Sequence, residues 1–177
     1  MQRENGKWRC VTQVFKFESE EAYWKAKDLI PAIAKGEVDA TSVSGLEEVK
    51  IVEGNILLNE GINNGIWPLV AGDATVTPFD NAHARIGVGD GTDAEDATQT
   101  DLTGTNTCYK GMDAGYPTYG VDQTITFQST FEETEANFEW NEWTVDNGDG
   151  VNLNRKQESL GTKQTGVWVL RVSISLS

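Results

Sequence analysis

The segment Trp168-Val-Leu-Arg-Val-Ser-Ile-Ser-Leu176 decides the fold. Every second side chain is apolar and points to one face of an extended chain: Trp168, Leu170, Val172, Ile174 and Leu176. The side chains between them form the other face: Val169, Arg171, Ser173 and Ser175. Strict alternation of this kind is typical of a β-strand with one buried face and one solvent-exposed face. The segment therefore predicts a strand in an antiparallel sheet.

The residues before this strand predict its partners. Thr124–Phe131 alternates in the same way, and residues 136–145 alternate with a one-residue slip near Asn141 and Glu142, which indicates a β-bulge. Residues 146–150, Asp-Asn-Gly-Asp-Gly, predict a hairpin turn because these dipeptides tolerate positive φ. Shorter strands are expected at 84–89 and near 109–113. The pattern predicts a mainly β protein with an antiparallel β-sandwich or jelly-roll-like body and one or two short helices.

The N-terminal residues predict a strand, a helix and a strand. Trp8–Phe17 is apolar on both faces, Ser19 is a candidate N-cap for a helix over 20–30, and 46–52 is a second strand. Residues 1–52 hold eight Lys/Arg and nine Asp/Glu, whereas 53–177 hold six and nineteen. We therefore expect a small N-terminal β-α-β arm or subdomain (1–52) beside a sandwich body (53–177). The arm is too small to fold alone, so we expect it to pack on the body or to clasp a neighbouring subunit, and we expect the body to stay folded without it.

A second helix is expected over residues 56–67. Its apolar residues recur at helical spacing. Gly61 and Gly65 are four residues apart and lie on one side, which predicts a helix that packs closely against a sheet.

The composition narrows the class of protein. The 177 residues carry a formal net charge of −14, which argues against nucleic acid or an anionic membrane as a partner because phosphate binding needs basic patches. No apolar run approaches the roughly 18 residues that span a membrane. The first residues lack the apolar segment of a secretory signal, so we expect a protein made and used without export.

Few residues are candidates for chemistry. Cys10 and Cys108 are expected to be free and at least partly buried, and His83 is the single histidine. Asp90, Asp93 and Asp96, with Glu95, are weak calcium candidates in an acidic loop, which lacks EF-hand spacing and is more simply a solvated loop. The glutamates of residues 132–142, among aromatic residues, are weak candidates for a glycosidase. We expect no catalytic residue, cofactor or metal.

Aromatic residues are the candidates for contacts between proteins, because interfaces are enriched in them. Trp140, Trp143 and Trp168 lie on predicted strands and are expected in the core. The interface candidates lie in the N-terminal arm or at the ends of elements: Trp8, Phe15, Phe17, Trp24 and Trp67.

Five blocks of sequence occur in an order that resembles a family of structural proteins of tailed bacteriophages. They are residues 52–63, 82–92 (Ala-His-Ala-Arg-Ile-Gly-Val-Gly-Asp-Gly-Thr), 109–117, 136–145 (Ala-Asn-Phe-Glu-Trp-Asn-Glu-Trp-Thr-Val) and 153–163. The resemblance implies a virion component without enzymatic activity, resembling head-decoration (capsid cementing) proteins with a β-sandwich fold. It further implies a homotrimer on the head surface that binds the major capsid protein, after synthesis in the bacterial host cytoplasm.

Two other classes stay open. A tail or fibre component that binds host carbohydrate would use exposed aromatic side chains, with Tyr116, Tyr119 and Trp143 as candidates. An enzyme would use the glutamate-rich strand, and it would be excluded if no glycan is cleaved and single Glu→Gln changes leave stability intact.

Overall fold

Two five-stranded antiparallel sheets form the protein, whose computed structural model describes residues 7–177. In chain order the strands are β1 (Trp8–Phe17), β2 (Leu46–Glu53), β3 (Ile56–Leu57), β4 (Arg85–Gly89), β5 (Thr107–Gly111), β6 (Thr118–Val121), β7 (Thr124–Phe131), β8 (Glu139–Asp146), β9 (Asn152–Thr162) and β10 (Val167–Leu176). Sheet A has the order β2-β1-β10-β7-β6, and sheet B has the order β3-β9-β8-β4-β5. The main core contains residues of both sheets. The predicted mainly β, sandwich-like fold is confirmed.

Strand β10 lies in the middle of sheet A, between β1 and β7. As the alternation predicts, Trp168, Leu170, Val172 and Ile174 enter the main core, where the Trp168 and Trp140 rings meet edge-to-face with centroids 4.9 Å apart. The other face of β10 differs from the prediction. Val169 is fully buried there rather than exposed to solvent, because helices cover the outside of the sheet.

These helices are α1 (Glu20–Ala26) and α2 (Ile30–Ala34), joined by a 3₁₀ turn over Lys27–Leu29. Ser19 caps α1 as predicted, since its hydroxyl accepts a hydrogen bond from the Ala22 backbone N–H at 3.2 Å. The apolar side of the helices packs on the outer face of sheet A and forms a second core. Its fully or largely buried members are Phe15, Phe17, Ala22, Ala26, Ile30, Ile33, Val167 and Val169.

The N-terminal strand is a central member of the sandwich. β1 pairs with β10 over its whole length and with β2 on its other side. Cys10, Val14 and Val52 belong to the main core. The division at residue 52 is therefore corrected: residues 8–53 contribute two of the five strands of sheet A instead of a separate arm, and β1 is apolar on both faces because a core lies on each.

The second predicted helix begins later than expected. Ile56 and Leu57 form β3, which pairs with Arg155 and Asn154 of β9. The helical turns are a π-helix, Gly61–Ile66, and α3, Trp67–Val70. The close packing predicted for the glycines is present. A Cβ at position 61 would lie 2.5 Å from the Leu153 carbonyl oxygen, so only glycine lets this helix approach β9 so closely.

Strands β8 and β9 form the predicted hairpin. Their register shifts between Trp140 and Glu142, where the sequence predicts a bulge. The turn contains Gly148 with φ of +82°, and a Cβ there would lie 2.4 Å from the His83 carbonyl oxygen. None of the helices within residues 7–177 is long and apolar enough to cross a membrane.

Removing the N-terminal strand tests its integration. We expect residues 46–177 alone to lack a cooperative unfolding transition, because loss of β1 uncovers β10 and one side of both cores. Circular dichroism during heating measures this. Deletion of residues 1–6, which leaves β1 whole, is the control. A shortened chain that unfolds cooperatively like the control would contradict the assignment.

The two free cysteines should differ in reactivity. Cys10 is buried in the main core, and burial raises the pKa of its thiol to about 12, whereas Cys108 is partly exposed. Because the thiolate is the reactive form, we expect iodoacetamide at neutral pH to modify Cys108 first and Cys10 only after unfolding. Peptide mass spectrometry after timed labelling measures both. Equal rates in the folded protein would be inconsistent with this packing.

Candidate functional site

An apolar groove of about 470 Å³ opens at one end of the sandwich, between the two sheets. Strand ends, α3 and the turn between β6 and β7 surround it. Its lining residues are Trp8, Ile66, Leu69, Val70, Phe79, Tyr119, Gly120, Gln123, Thr124, Ile125, Phe127, Leu153, Ile174 and Leu176. The floor continues directly into the main core, which contains Phe127, Leu153 and Ile174. The groove is thus the part of the core that the sheets leave open.

The chain leaves this end open because its border elements are short. β6 has four residues, all exposed, and its pairing with β7 is irregular between Thr118 and Val121. Tyr119 is 79% exposed as a result. α3 has four residues, and its Val70 is 74% exposed. Neither element is long enough to cover the gap between the sheets.

Large apolar side chains surround the mouth of the groove. We call them the apolar end: Val70, Tyr119 and Leu176, each more than half exposed. Monomeric proteins rarely leave such side chains in one exposed patch unless the patch binds something. The apolar end is therefore the candidate docking surface of the protein.

The predicted interface residues separate into two groups. Trp8 borders the groove, and its indole N–H donates to Asn55 Oδ1 at 2.7 Å, so its polar atom is satisfied. Trp67 is the first residue of α3 and is exposed, but it does not line the groove, and Trp24 is exposed on α1. Phe15 and Phe17 are corrected: both are fully buried beneath α1 and α2 and offer no surface to a partner.

Two of the three aromatic residues expected for carbohydrate binding lie close together. Tyr116 and Tyr119 both line a pocket of about 500 Å³, with Phe79 and Pro117. Tyr119 also belongs to the apolar end, and Tyr116 also lines a second pocket beside α1. Trp143 lies apart, since it is fully buried and its indole N–H donates to Thr12 Oγ1 at 3.1 Å.

The side chains of the glutamate-rich segment also lie apart from one another, each with different partners. Glu142 points inward at the bulge of β8 and is completely buried, together with Arg155 of β9. Arg155 Nη2 lies 2.6 Å from Glu142 Oε2, and its Nε lies 2.9 Å from the same oxygen. Glu135 instead pairs with Lys110 at 2.6 Å, and Glu133 accepts a hydrogen bond from the Glu20 backbone N–H.

The buried pair also holds the acidic loop in place. The Glu142 carboxylate accepts hydrogen bonds from the backbone N–H groups of Gly91, Thr103 and Gly104, at 3.2, 2.9 and 2.7 Å. Arg155 donates to the Asp93 carbonyl oxygen at 3.1 Å. Sequence reasoning missed this role, because nothing local distinguishes Arg155 from the other charged residues of its strand.

The calcium candidates make hydrogen bonds to other residues of the protein. Asp90 accepts hydrogen bonds from the side-chain amide and backbone N–H of Asn106, which lower the pKa of its carboxyl. The hydroxyl and backbone N–H of Thr98 likewise lower the pKa of Asp96. Asp93 presents its carbonyl oxygen to Arg155. In the described part of the chain, no three His, Cys, Asp or Glu side chains are grouped as a metal ion would require.

Comparison with known proteins adds no assignment. No protein-family model, curated protein or solved structure matches the chain. The fold defines the class, a mainly β protein of two packed antiparallel sheets. The apolar end is the surface that suggests a function.

Breaking the buried ion pair should destabilise the protein. We expect Glu142→Gln to lower the free energy of unfolding by about 3–5 kcal/mol, because Arg155 loses its counter-charge in a fully buried position. Urea unfolding measures the change, and hydrogen exchange should accelerate at Gly91, Thr103 and Gly104.

Glu139→Gln is the matched control, because Glu139 lies on the same strand and is exposed. Its effect should stay within about 0.5 kcal/mol. Equal effects of the two variants would show that the ion pair does not hold the loop.

Proposed function

We propose that the protein is a virion structural protein of a tailed bacteriophage, a decoration protein that binds the outer surface of the major capsid protein lattice and stabilises the head. The observation that carries the proposal is the apolar end. It contains an apolar groove with a volume of about 470 Å³, bordered by exposed Tyr, Val and Leu side chains. Such a surface suits permanent contact with another protein.

The distribution of charge supports docking through this end. The chain carries a net charge of −14, yet none of the residues that line the groove is charged. Like-charge repulsion between acidic surfaces limits nonspecific association. A partner would therefore make its closest contact where the protein is apolar. The occupant that fits is a loop of the capsid lattice that inserts apolar side chains between the sheets.

The packing of the sandwich supports a mechanical role. Sheet A has a core on each face, and the long acidic loop is fastened internally by Glu142 and Arg155. A protein that reinforces a shell needs a rigid body of this kind, because each contact then restrains its neighbours. Many modest contacts over a lattice add up, because one contact raises the effective concentration of the bound copy at its other contacts.

Self-association as a trimer completes the proposal, since threefold symmetry matches threefold positions on a capsid. The edge strand β2 carries four charged residues, Glu47, Glu48, Lys50 and Glu53. Charged edges oppose pairing between sheets of neighbouring copies. The trimer contacts would accordingly use loops or sheet faces rather than this edge.

Adding the protein back to capsids tests the proposal. Electron cryo-microscopy of heads that lack the protein, with and without the purified chain, should show new ordered density at the threefold positions. We expect Leu176→Asp to reduce occupancy at least tenfold, because it places a charge in the apolar groove.

Ile51→Asp is the matched control. Ile51 and Leu176 are each 58% exposed, but Ile51 lies on β2, outside the groove. Its occupancy should equal that of the wild type. Heads that stay undecorated with the wild-type chain would overturn the capsid assignment and favour the tail or fibre alternative. Equal losses in both variants would overturn docking through the apolar end.

A further inference from the structure

A second pocket, of about 380 Å³, lies between α1 and the loop that joins β5 to β6. It shares no lining residue with the apolar groove. Tyr23 and Trp24 of α1 and Lys27 of the following 3₁₀ turn form one side, Asp113 and Tyr116 form the other, and Gln128 of β7 lies between them. The pocket thus combines aromatic rings with an amide, a carboxylate and an ammonium group.

A hydrogen-bond network fixes the polar groups of this pocket. The Gln128 amide N–H donates to Asp113 Oδ2 at 3.0 Å, and Gln128 Oε1 accepts from Arg171 at 3.1 Å. Arg171 also donates to the Tyr116 hydroxyl at 2.8 Å. The backbone N–H and hydroxyl of Thr130 hold the Asp113 carboxylate at 3.0 and 2.8 Å. These groups are oriented before any ligand arrives, which lowers the cost of binding.

The aromatic side of the pocket is unusually open. Trp24 is 59% exposed, although its indole is among the largest apolar surfaces in the chain. The Tyr23 ring contacts it edge-to-face at a centroid distance of 5.4 Å, and Lys27 Nζ lies 5.5 Å from the ring centroid. The exposed indole is therefore supported by its neighbours and not left free to rotate.

We propose that this pocket binds a neutral sugar unit of a glycan. A pyranose ring has an apolar C–H face, which packs on an aromatic ring, and hydroxyl groups on its rim, which pair with amides and carboxylates. The pocket places both kinds of partner together. The lining contains Asp28, Asp113 and Lys27, and Arg171 donates to Gln128 and Tyr116 beside it, so the formal charges around the pocket balance. A pocket of this kind suits a neutral sugar, and the net charge of −14 on the chain disfavours an acidic one.

Saturation-transfer NMR on the full chain tests the proposal, because it detects weak sugar binding. The probes are the methyl glycosides of glucose, galactose and mannose, and N-acetylglucosamine, with N-acetylneuraminic acid as an acidic comparison. We expect transfer to the ring C–H protons of at least one neutral sugar and none to the acidic sugar. Trp24→Ala should weaken binding about tenfold or more, whereas Trp24→Phe, which keeps an aromatic face, should retain most of it.

Trp67→Ala is the matched control, since Trp67 is 58% exposed and lies on α3, outside this pocket. It should bind like the wild type. Circular dichroism would establish that each variant is folded, as expected for exposed positions. Absence of transfer to every neutral sugar overturns the proposal, as does undiminished transfer in Trp24→Ala. Loss of binding in Trp67→Ala alone would assign the sugar to the surface of α3 and equally overturn this site.

Discussion

The pairing of β1 with β10 is the interaction on which the rest of the structure depends. Ten consecutive residues of β1 face ten of β10, from Trp8 opposite Leu176 to Phe17 opposite Val167. Both cores lie against these two strands, one on each face. The strands are nearly the whole chain apart in sequence, so the loop-closure cost of bringing them together is met only when many contacts form at once. The central sheet therefore forms cooperatively.

Sheet B depends on a different kind of contact. Glu142 and Arg155 are both completely buried, and ion pairs of this kind usually stabilise little compared with apolar residues of the same size. In this protein the pair contributes mainly through the hydrogen bonds that it makes to the backbone of the loop. The carboxylate satisfies three backbone N–H groups of the acidic loop, so the loop packs against the sheet without burying unpaired donors. The bulge in β8, close to Glu142, accompanies this inward position.

The features that could be predicted from the sequence are local. Alternation identified β7 and β10, and the phase slip identified the bulge of β8, because side-chain direction along a strand follows directly from residue order. The pairing of strands that are distant in sequence produces no comparable pattern in the sequence. A strand that is apolar on both faces, such as β1, is consistent with cover by its own helices or by a neighbouring subunit. The sequence left both open, and Phe15 and Phe17 were interface candidates under the second. The structure covers them with the helices, so both candidates were wrong.

The candidate sites were harder to predict for the same reason. Leu176 continues the apolar face of β10, and periodicity cannot indicate that the core ends before it does. Gln128 lies on the polar face of β7, where it was expected simply to meet solvent. Its position beneath α1 depends on the fold of residues 20–34, and its orientation depends on Asp113 and Arg171.

Strand β7 contributes to both surfaces through its alternation. Ile125 and Phe127 line the apolar groove on the inner face, and Gln128 lines the polar pocket on the outer face. The segment between β5 and β7 does the same, since Tyr116 borders the pocket and Tyr119 borders the groove. The two surfaces are thus neighbours that share a backbone and no lining side chain. A partner bound in the groove would not contact Trp24. A mutation can therefore remove one function and leave the other.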